Sequence, residues 1–308
     1  MNNILITGAS GFIGRNLIEY LISNTDYRII SLSRKEHHYD NHDRITKITH
    51  DMRLPIDEKT INQIGEVDYI IHLAAATDAK ESTVNPLKYV QDNIIGTLNL
   101  LEYARHNLKK IKKIIYFNTA EVFGPSSKNT VFFEDQSYNA INPYAATKIG
   151  AQEMCLAYQR LYNLPILITY TANSFGPGQN STKFIPLIIN KISANQVVDI
   201  HTDSSKRPIR RNYLDVEDIC SATLFLMKKG PPGEKYNVVA AKNVDNLEIA
   251  QILAFFMKKE LKHRLIYSED SLLALPMLSG QKLRNLGWKQ PKTLEKGLKE
   301  LIKWKMKQ

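Results

Sequence analysis

The octapeptide "TGASGFIG" (residues 7–14) limits what this chain can fold into more than any other stretch. Apolar "NNILI" precedes it and the helical pattern "GFIGRNLIEYLIS" follows, so Gly8, Gly11 and Gly14 stand at GxxGxxG spacing between a strand and a helix. Glycine lets a backbone turn tightly and approach a pyrophosphate, which the helix N-terminus attracts. An isolated match is weak, because a strand-to-helix turn can need glycine for packing alone. At the first strand–helix junction of an alternating chain, its expected use is to hold a dinucleotide.

That alternation is plain downstream. "YRIISLS" (27–33), "VDYIIHLAA" (67–75), "KKIIYFNTA" (112–120) and "PILITYTAN" (165–173) read as buried strands. Residues 86–107 and 143–163 have helical spacing, the second with Pro143 in its first turn. Strands alternating with helices predict an α/β fold with a doubly wound parallel sheet. After about residue 174 the rhythm loosens, with helices expected in "TKFIPLIINKISANQ", "NYLDVEDICSATLFLMKK" and "LEIAQILAFFMKKEL". We expect residues 1–173 to form the dinucleotide-binding domain. Residues 174–308 would form a smaller lobe, interleaved with the first, that closes over the strand ends where ligands bind.

Composition narrows the class of protein. Of 308 residues, 43% are hydrophobic, and Cys155 and Cys220 are too few for a disulfide framework or a zinc site. No apolar run approaches the roughly 20 residues a membrane span needs, and the N-terminus lacks the basic flank of a signal peptide. A cytoplasmic protein with no membrane partner is expected. The net charge of +10 raises nucleic acid as a partner. Yet much of the excess lies in "LKKIKK" (108–113) and in residues 294–308, where the lone aromatic Trp304 does not make the interleaved series that base stacking requires. These read as solvated helix faces, and a positive field also attracts a diphosphate. The irregular histidines of "EHHYDNHD" (36–43) read as a solvated loop, with no metal.

The second strand runs into "SLSRKE", with Ser33 where an acid would grip the ribose hydroxyls of NAD, followed by Arg34 and Lys35. A small residue and then basic ones suit a 2′-phosphate, so NADP is favoured over NAD. Tyr144 and Lys148 stand four apart and share a helix face. An ammonium beside a phenol stabilises the phenolate, and such a tyrosine could take the proton of an alcohol while a cofactor takes the hydride.

With these motifs the chain resembles the extended short-chain dehydrogenases/reductases, the NAD(P)-dependent nucleotide-sugar epimerase/dehydratase family. The resemblance runs from "TGASGFIG" through "HDM" (50–52), "HLAA" (72–75), "NIIGTLNLLEYA" (93–104) and "NPYAATKIGAQE" (142–153) to "RRNYLDVEDI" (210–219). It implies a Rossmann sheet and a nucleotide-diphosphate sugar as substrate. Ser10, Phe12 and Ile13 would join the glycines at the cofactor, with Asp51 and Met52 at the adenine and Leu73, Ala74 and Ala75 along its length. Thr119 would hold the sugar's 4-hydroxyl, Tyr144 would be the base, and Lys148 would bind the nicotinamide ribose. Asn173 and Arg211 would hold the diphosphate. Ala120, Lys183, Phe184 and Ile185 would border the substrate.

Glu121 points to a branch of that family. Oxidising C4 of a sugar acidifies the hydrogen on C5, and a carboxylate there can remove it before the 6-hydroxyl leaves as water. The family's 4-epimerases usually carry small or apolar residues at this position, whereas its dehydratases carry a Thr-x-Glu triplet. In relatives acting on dTDP-glucose an aspartate lies between the two, where this chain has Ala120; GDP-mannose dehydratases have serine. Two further departures leave base and sugar open: no arginine precedes Gln281 in residues 271–288, and Tyr170 stands where many relatives have arginine. A UDP-glucuronate-type decarboxylase, a 4-epimerase and a non-catalytic NADP-binding regulator remain alternatives, as does a 5,6-ene product. The decarboxylases tend to carry a basic residue where this chain has Gly178. The long helices are apolar on more than one face, which fits pairing as a homodimer.

Overall fold

Successive residues of a strand point to opposite faces, and here both faces are apolar. A computed structural model of the chain describes residues 1–35, 42–125, 130–267 and 276–307. Most of the 36–43 loop, read above as solvated, lies outside the described residues. The first part alternates β1 (Asn3–Thr7), α1 (Phe12–Asn24), β2 (Arg28–Ser33), β3 (Ile45–Thr49), α2 (Glu58–Ile64), β4 (Tyr69–His72), α3 (Ala79–Val84) and α4 (Pro86–Tyr89). A π-helical turn (Val90–Ile95), α5 (Gly96–Asn107), β5 (Lys113–Thr119), β6 (Val131–Phe132), α6 (Pro143–Tyr162) and β7 (Ile166–Thr171) follow. The remainder supplies β8 (Asn173–Phe175), α7 (Phe184–Ser193), β9 (Val198–Thr202), β10 (Arg210–Arg211), β11 (Tyr213–Asp215), α8 (Val216–Lys229) and β12 (Lys235–Val238). Last come β13 (Val244–Asp245), α9 (Asn246–Met257), β14 (His263–Tyr267), β15 (Met277–Leu278), α10 (Gln281–Asn285) and α11 (Leu294–Lys305).

Seven strands form one sheet in the order β12-β7-β5-β4-β1-β2-β3, and every pairing in it is parallel. On one face Leu5, Ile30, Ile70 and Ile114 pack against Leu100, Leu101, Ala104, Ala151 and Cys155 of α5 and α6. On the other, Ile4, Ile6, Ile29, Ile71 and Ile115 meet Leu17, Ile18 and Leu21 of α1 and Ile219 and Cys220 of α8. The order reverses between β1 and β4, and a crevice opens beyond the strand ends at such a switch point. A separate core of Phe175, Ile185, Ile188, Ile189, Ile249 and Leu298 holds the later elements together over that opening. Among the described residues no helix is long and apolar enough to cross a membrane.

Two sequence expectations change. The helix expected over 86–107 is interrupted by the wider π turn, a feature often found at functional sites. "LKKIKK" is not a helix face. Lys113 opens β5, is buried, and its ammonium donates to the carbonyls of Leu226 (2.9 Å) and Met227 (2.8 Å). The Leu226 carbonyl also accepts from the Gly230 amide, and a cation is favoured at this C-terminal end of α8.

Candidate active site

The crevice has a volume of about 960 Å³, and its floor is the turn after β1. Gly8 adopts φ +68°, and a Cβ there would lie 2.6 Å from the Ala74 amide nitrogen. At Gly14 a Cβ would lie 2.5 Å from the Gly8 carbonyl oxygen, so glycine is what lets α1 start this close to β1. The helices α2, α3, α6, α8, α9 and α11 each have a side-chain cap, but α1 begins at Gly11 with none. The free amides of its first turn, beside Ser10, Phe12 and Ile13, face the crevice, which fits a pyrophosphate.

Ser33, Arg34, Asp51, Met52, Leu73, Ala74 and Ala75 line the same crevice, as the sequence predicted for a cofactor. Ser33 Oγ donates to Ser10 Oγ at 2.6 Å, tying the end of β2 to the glycine turn. Arg34 Nη1 donates to Asp92 Oδ1 at 2.9 Å, and Arg53 Nε donates to Asp51 Oδ2 at 2.9 Å. Arg53 thereby holds the Asp51 carboxyl below its ordinary range. The "HLAA" loop is fixed by Asn93, whose side chain accepts from the Ala76 amide (2.7 Å) and donates to Thr147 of α6 (2.9 Å).

At the other end β5 delivers Thr119, and the chain then turns sharply through residues 120–123. The Asn118 carboxamide fixes the start of that turn by accepting from the Thr119 amide at 2.8 Å. Tyr144 and Lys148 come from the first turns of α6, whose N-cap is Asn142. The Asn142 oxygen caps the helix at Ala145 (2.8 Å), while its nitrogen donates to Glu121 Oε2 at 3.1 Å. The Thr119 hydroxyl accepts from the Glu121 amide at 3.3 Å, and as a donor it favours the Tyr144 phenolate. Thr119, Glu121, Tyr144 and Lys148 thus meet on one wall of the crevice.

Burial sets the proton affinities here. It pushes the Glu121 carboxyl up, against the Asn142 hydrogen bond and the charges of Lys183 and Arg211. It lowers Lys148 to about 7. Tyr144 is raised well above the ordinary phenol, by burial first and then by the charge of Glu121. The expectation that Lys148 lowers this phenol is therefore corrected. The lysine is itself desolvated, its ammonium lies 4.3 Å from the centre of the Tyr116 ring, and the cost of a buried phenolate dominates.

Asn173, Lys183, Phe184, Ile185 and Arg211 complete the opposite wall. Phe184 stacks on Tyr213 with ring centres 6.1 Å apart, which steadies the start of α7. Neither Lys183 nor Arg211 forms an ion pair among the described residues. Both charges are free for an anionic ligand. Ala120 is buried and faces away, into a small side cavity shared with Asn173, Arg211 and Asn212. Three side chains that support or line the crevice escape a reading of the sequence. Asn142 carried a signal, an N-cap residue before proline. Buried His72 and Asp92 carried none.

Several known proteins share this architecture. The family model described as the NAD dependent epimerase/dehydratase family matches residues 4–239. A dTDP-glucose 4,6-dehydratase of Haemophilus influenzae is 31% identical over 99% of this chain and 98% of its own. The crystal structure of dTDP-glucose 4,6-dehydratase from Bacillus anthracis, in complex with NAD, superimposes with a TM-score of 0.87 at 26% identity, covering 100% of this chain and 97% of that one. A UDP-glucose 4-epimerase from Thermotoga maritima, solved with UDP-glucose, is as similar in fold, with a TM-score of 0.86 at 25% identity over 99% of both chains. The family model covers more than half of the chain, and the chain belongs to the NAD dependent epimerase/dehydratase family.

Proposed function

We propose that the chain is a nucleotide-sugar dehydratase, and the observation that carries this reading is the carboxylate of Glu121 on the wall shared with Thr119 and Tyr144. Fold alone does not choose, since dehydratase and epimerase superimpose equally well. A 4-epimerase has no use for a base over C5. The Thr119 hydroxyl holds the 4-hydroxyl of the sugar while Tyr144, once its own proton has passed to solvent, takes the proton of that hydroxyl. A bound nicotinamide supplies the acceptor for the C4 hydride and later its donor. Glu121, whose burial raises its affinity for a proton, removes the acidified hydrogen from C5. Ala120 has no proton to give, so Glu121 returns its own to the departing 6-hydroxyl. Arg211 and Lys183 hold the diphosphate as free cations, with Asn173 beside them.

Finer features follow from the same wall and its surroundings. NADP is favoured over NAD, because the end of β2 offers Ser33 and Arg34, with Arg53 nearby, and no acid of its own. The active form is a homodimer built on the helices of residues 86–107 and on α6, where Leu87 and Leu161 are 68% and 71% exposed and a second copy would cover them. Both cysteines are buried and free, which suits a reducing cytoplasm. Residues 1–173 with β12 carry the cofactor, and the later elements carry the substrate.

Mass spectrometry after incubation with UDP-, dTDP-, GDP- and CDP-sugars tests the reading. Loss of one water from any of them is expected and names the substrate. Loss of carbon dioxide from UDP-glucuronate would assign Glu121 to decarboxylation instead. Interconversion of sugars at unchanged mass would make the chain an epimerase.

A further inference from the structure

The adenosine end of the crevice contains a carboxylate that the reaction does not use. Asp92 sits in the π turn with its side chain only 7% exposed, and it lines the crevice. Its Oδ1 accepts from Arg34 Nη1 at 2.9 Å, and Arg53 Nε lies 3.8 Å away. Its Oδ2 is buried without any hydrogen-bond partner among the described residues. A buried carboxylate oxygen is costly to leave unpaired, so a donor from a ligand would be strongly held there.

Its position supplies the donor. Strand β2 ends at Ser33, where an acid reads the ribose hydroxyls of NAD in this kind of fold. Asp92 brings that charge to the same corner from a different element. The corner also holds two guanidinium groups, which suit a 2′-phosphate. Those two cations are matched by two carboxylates, since Arg53 is held by Asp51 and Arg34 by Asp92. A 2′-phosphate must therefore compete with Asp92 for Arg34.

We propose that Asp92 determines the choice of dinucleotide: Oδ2 accepts a ribose hydroxyl of NAD, and the hold of Oδ1 on Arg34 opposes the 2′-phosphate of NADP. The proposal rests on reading this crevice as a nicotinamide-dinucleotide site, and it sets a limit on the NADP preference proposed above.

Purified protein equilibrated with equimolar excess NAD⁺ and NADP⁺, freed of unbound nucleotide and denatured, yields a ratio that liquid chromatography with mass spectrometry reads directly. Asp92→Asn is expected to raise the bound NADP:NAD ratio at least about ten-fold over wild type, the effect of removing one charge from a half-buried anion site. Asp92→Ser serves if the asparagine variant does not fold. A ratio within two-fold of wild type, in a variant with the wild-type melting temperature, overturns the role of Asp92 whichever nucleotide the wild type prefers. The wild-type ratio by itself decides the NADP preference, so the two readings fail separately.

Discussion

At the chemical end of the crevice Tyr144, Lys148 and His72 are buried, and burial shifts their proton affinities more than any neighbouring charge does. At the adenosine end Arg34 and Arg53 are 45% and 42% exposed at the side chain, and they are balanced by the carboxylates beside them. The first end changes what its groups are; the second changes only which partner each charge has. Substitutions at the buried end should therefore stop chemistry, while those at the open end should redirect binding and weaken with added salt.

The largest effect is expected for Tyr144→Phe. Removing the phenol takes away the group assigned to accept the 4-hydroxyl proton, and positioned proton transfer contributes about 10²–10⁴-fold. Cofactor reduction followed by absorbance should fall by about 10³-fold or more, with substrate affinity little changed. Turnover near the wild-type rate would remove Tyr144 from the chemistry.

Glu121→Gln should act later and less completely. The amide still fills the space beside Asn142 but cannot take the C5 proton. Oxidation at C4 is expected to persist while release of water falls by about 10²-fold, and exchange of the C5 hydrogen with deuterated solvent should cease. Continued exchange at the normal rate would leave Glu121 as no more than a contact for Asn142.

How legible each end was follows from how far its partners lie along the chain. The glycine turn and the Tyr144–Lys148 pair are local, set by one βα junction and one helical turn, and the sequence predicted their places. Asn142 was half legible: its capping of α6 is local, but its bond to Glu121 depends on the turn after β5 folding back. Lys113 looked like one more surface lysine because its partners, Leu226 and Met227, are more than a hundred residues away. Asp92 is recognisable only once β2 and the π turn are side by side. The misjudged Tyr144 phenol has the same origin. Spacing shows that a lysine shares its helix face, but only packing shows how little water reaches either group.

His72 offers the smallest and most specific way to sharpen the contrast between the ends. Its Nε2 lies 3.0 Å from Thr97 Oγ1, which donates its own hydrogen to the Asn93 carbonyl, so Nε2 must be the donor. Nδ1 then accepts from Thr7 Oγ1 at 2.6 Å, which ties the end of β4 to the end of β1 beneath the glycine turn. Burial, with a smaller contribution from the charge of Lys148, lowers the imidazole to about 3. An unfolded histidine titrates near 6.5. Above that value neither state binds the proton and the full stability is present. As pH falls below it only the unfolded chain gains a proton, so stability is lost down to about pH 3, at about 1.4 kcal/mol per pH unit. Between pH 7 and pH 5 the loss from this residue is about 2 kcal/mol. His72→Gln should lower stability at pH 7 yet abolish that part of the pH dependence in urea unfolding, whereas Arg53→Gln at the open end should leave the slope between pH 7 and pH 5 unchanged. Equal slopes for wild type and His72→Gln would mean that the imidazole takes up its proton in the folded chain, and burial would then not govern the chemical end as argued.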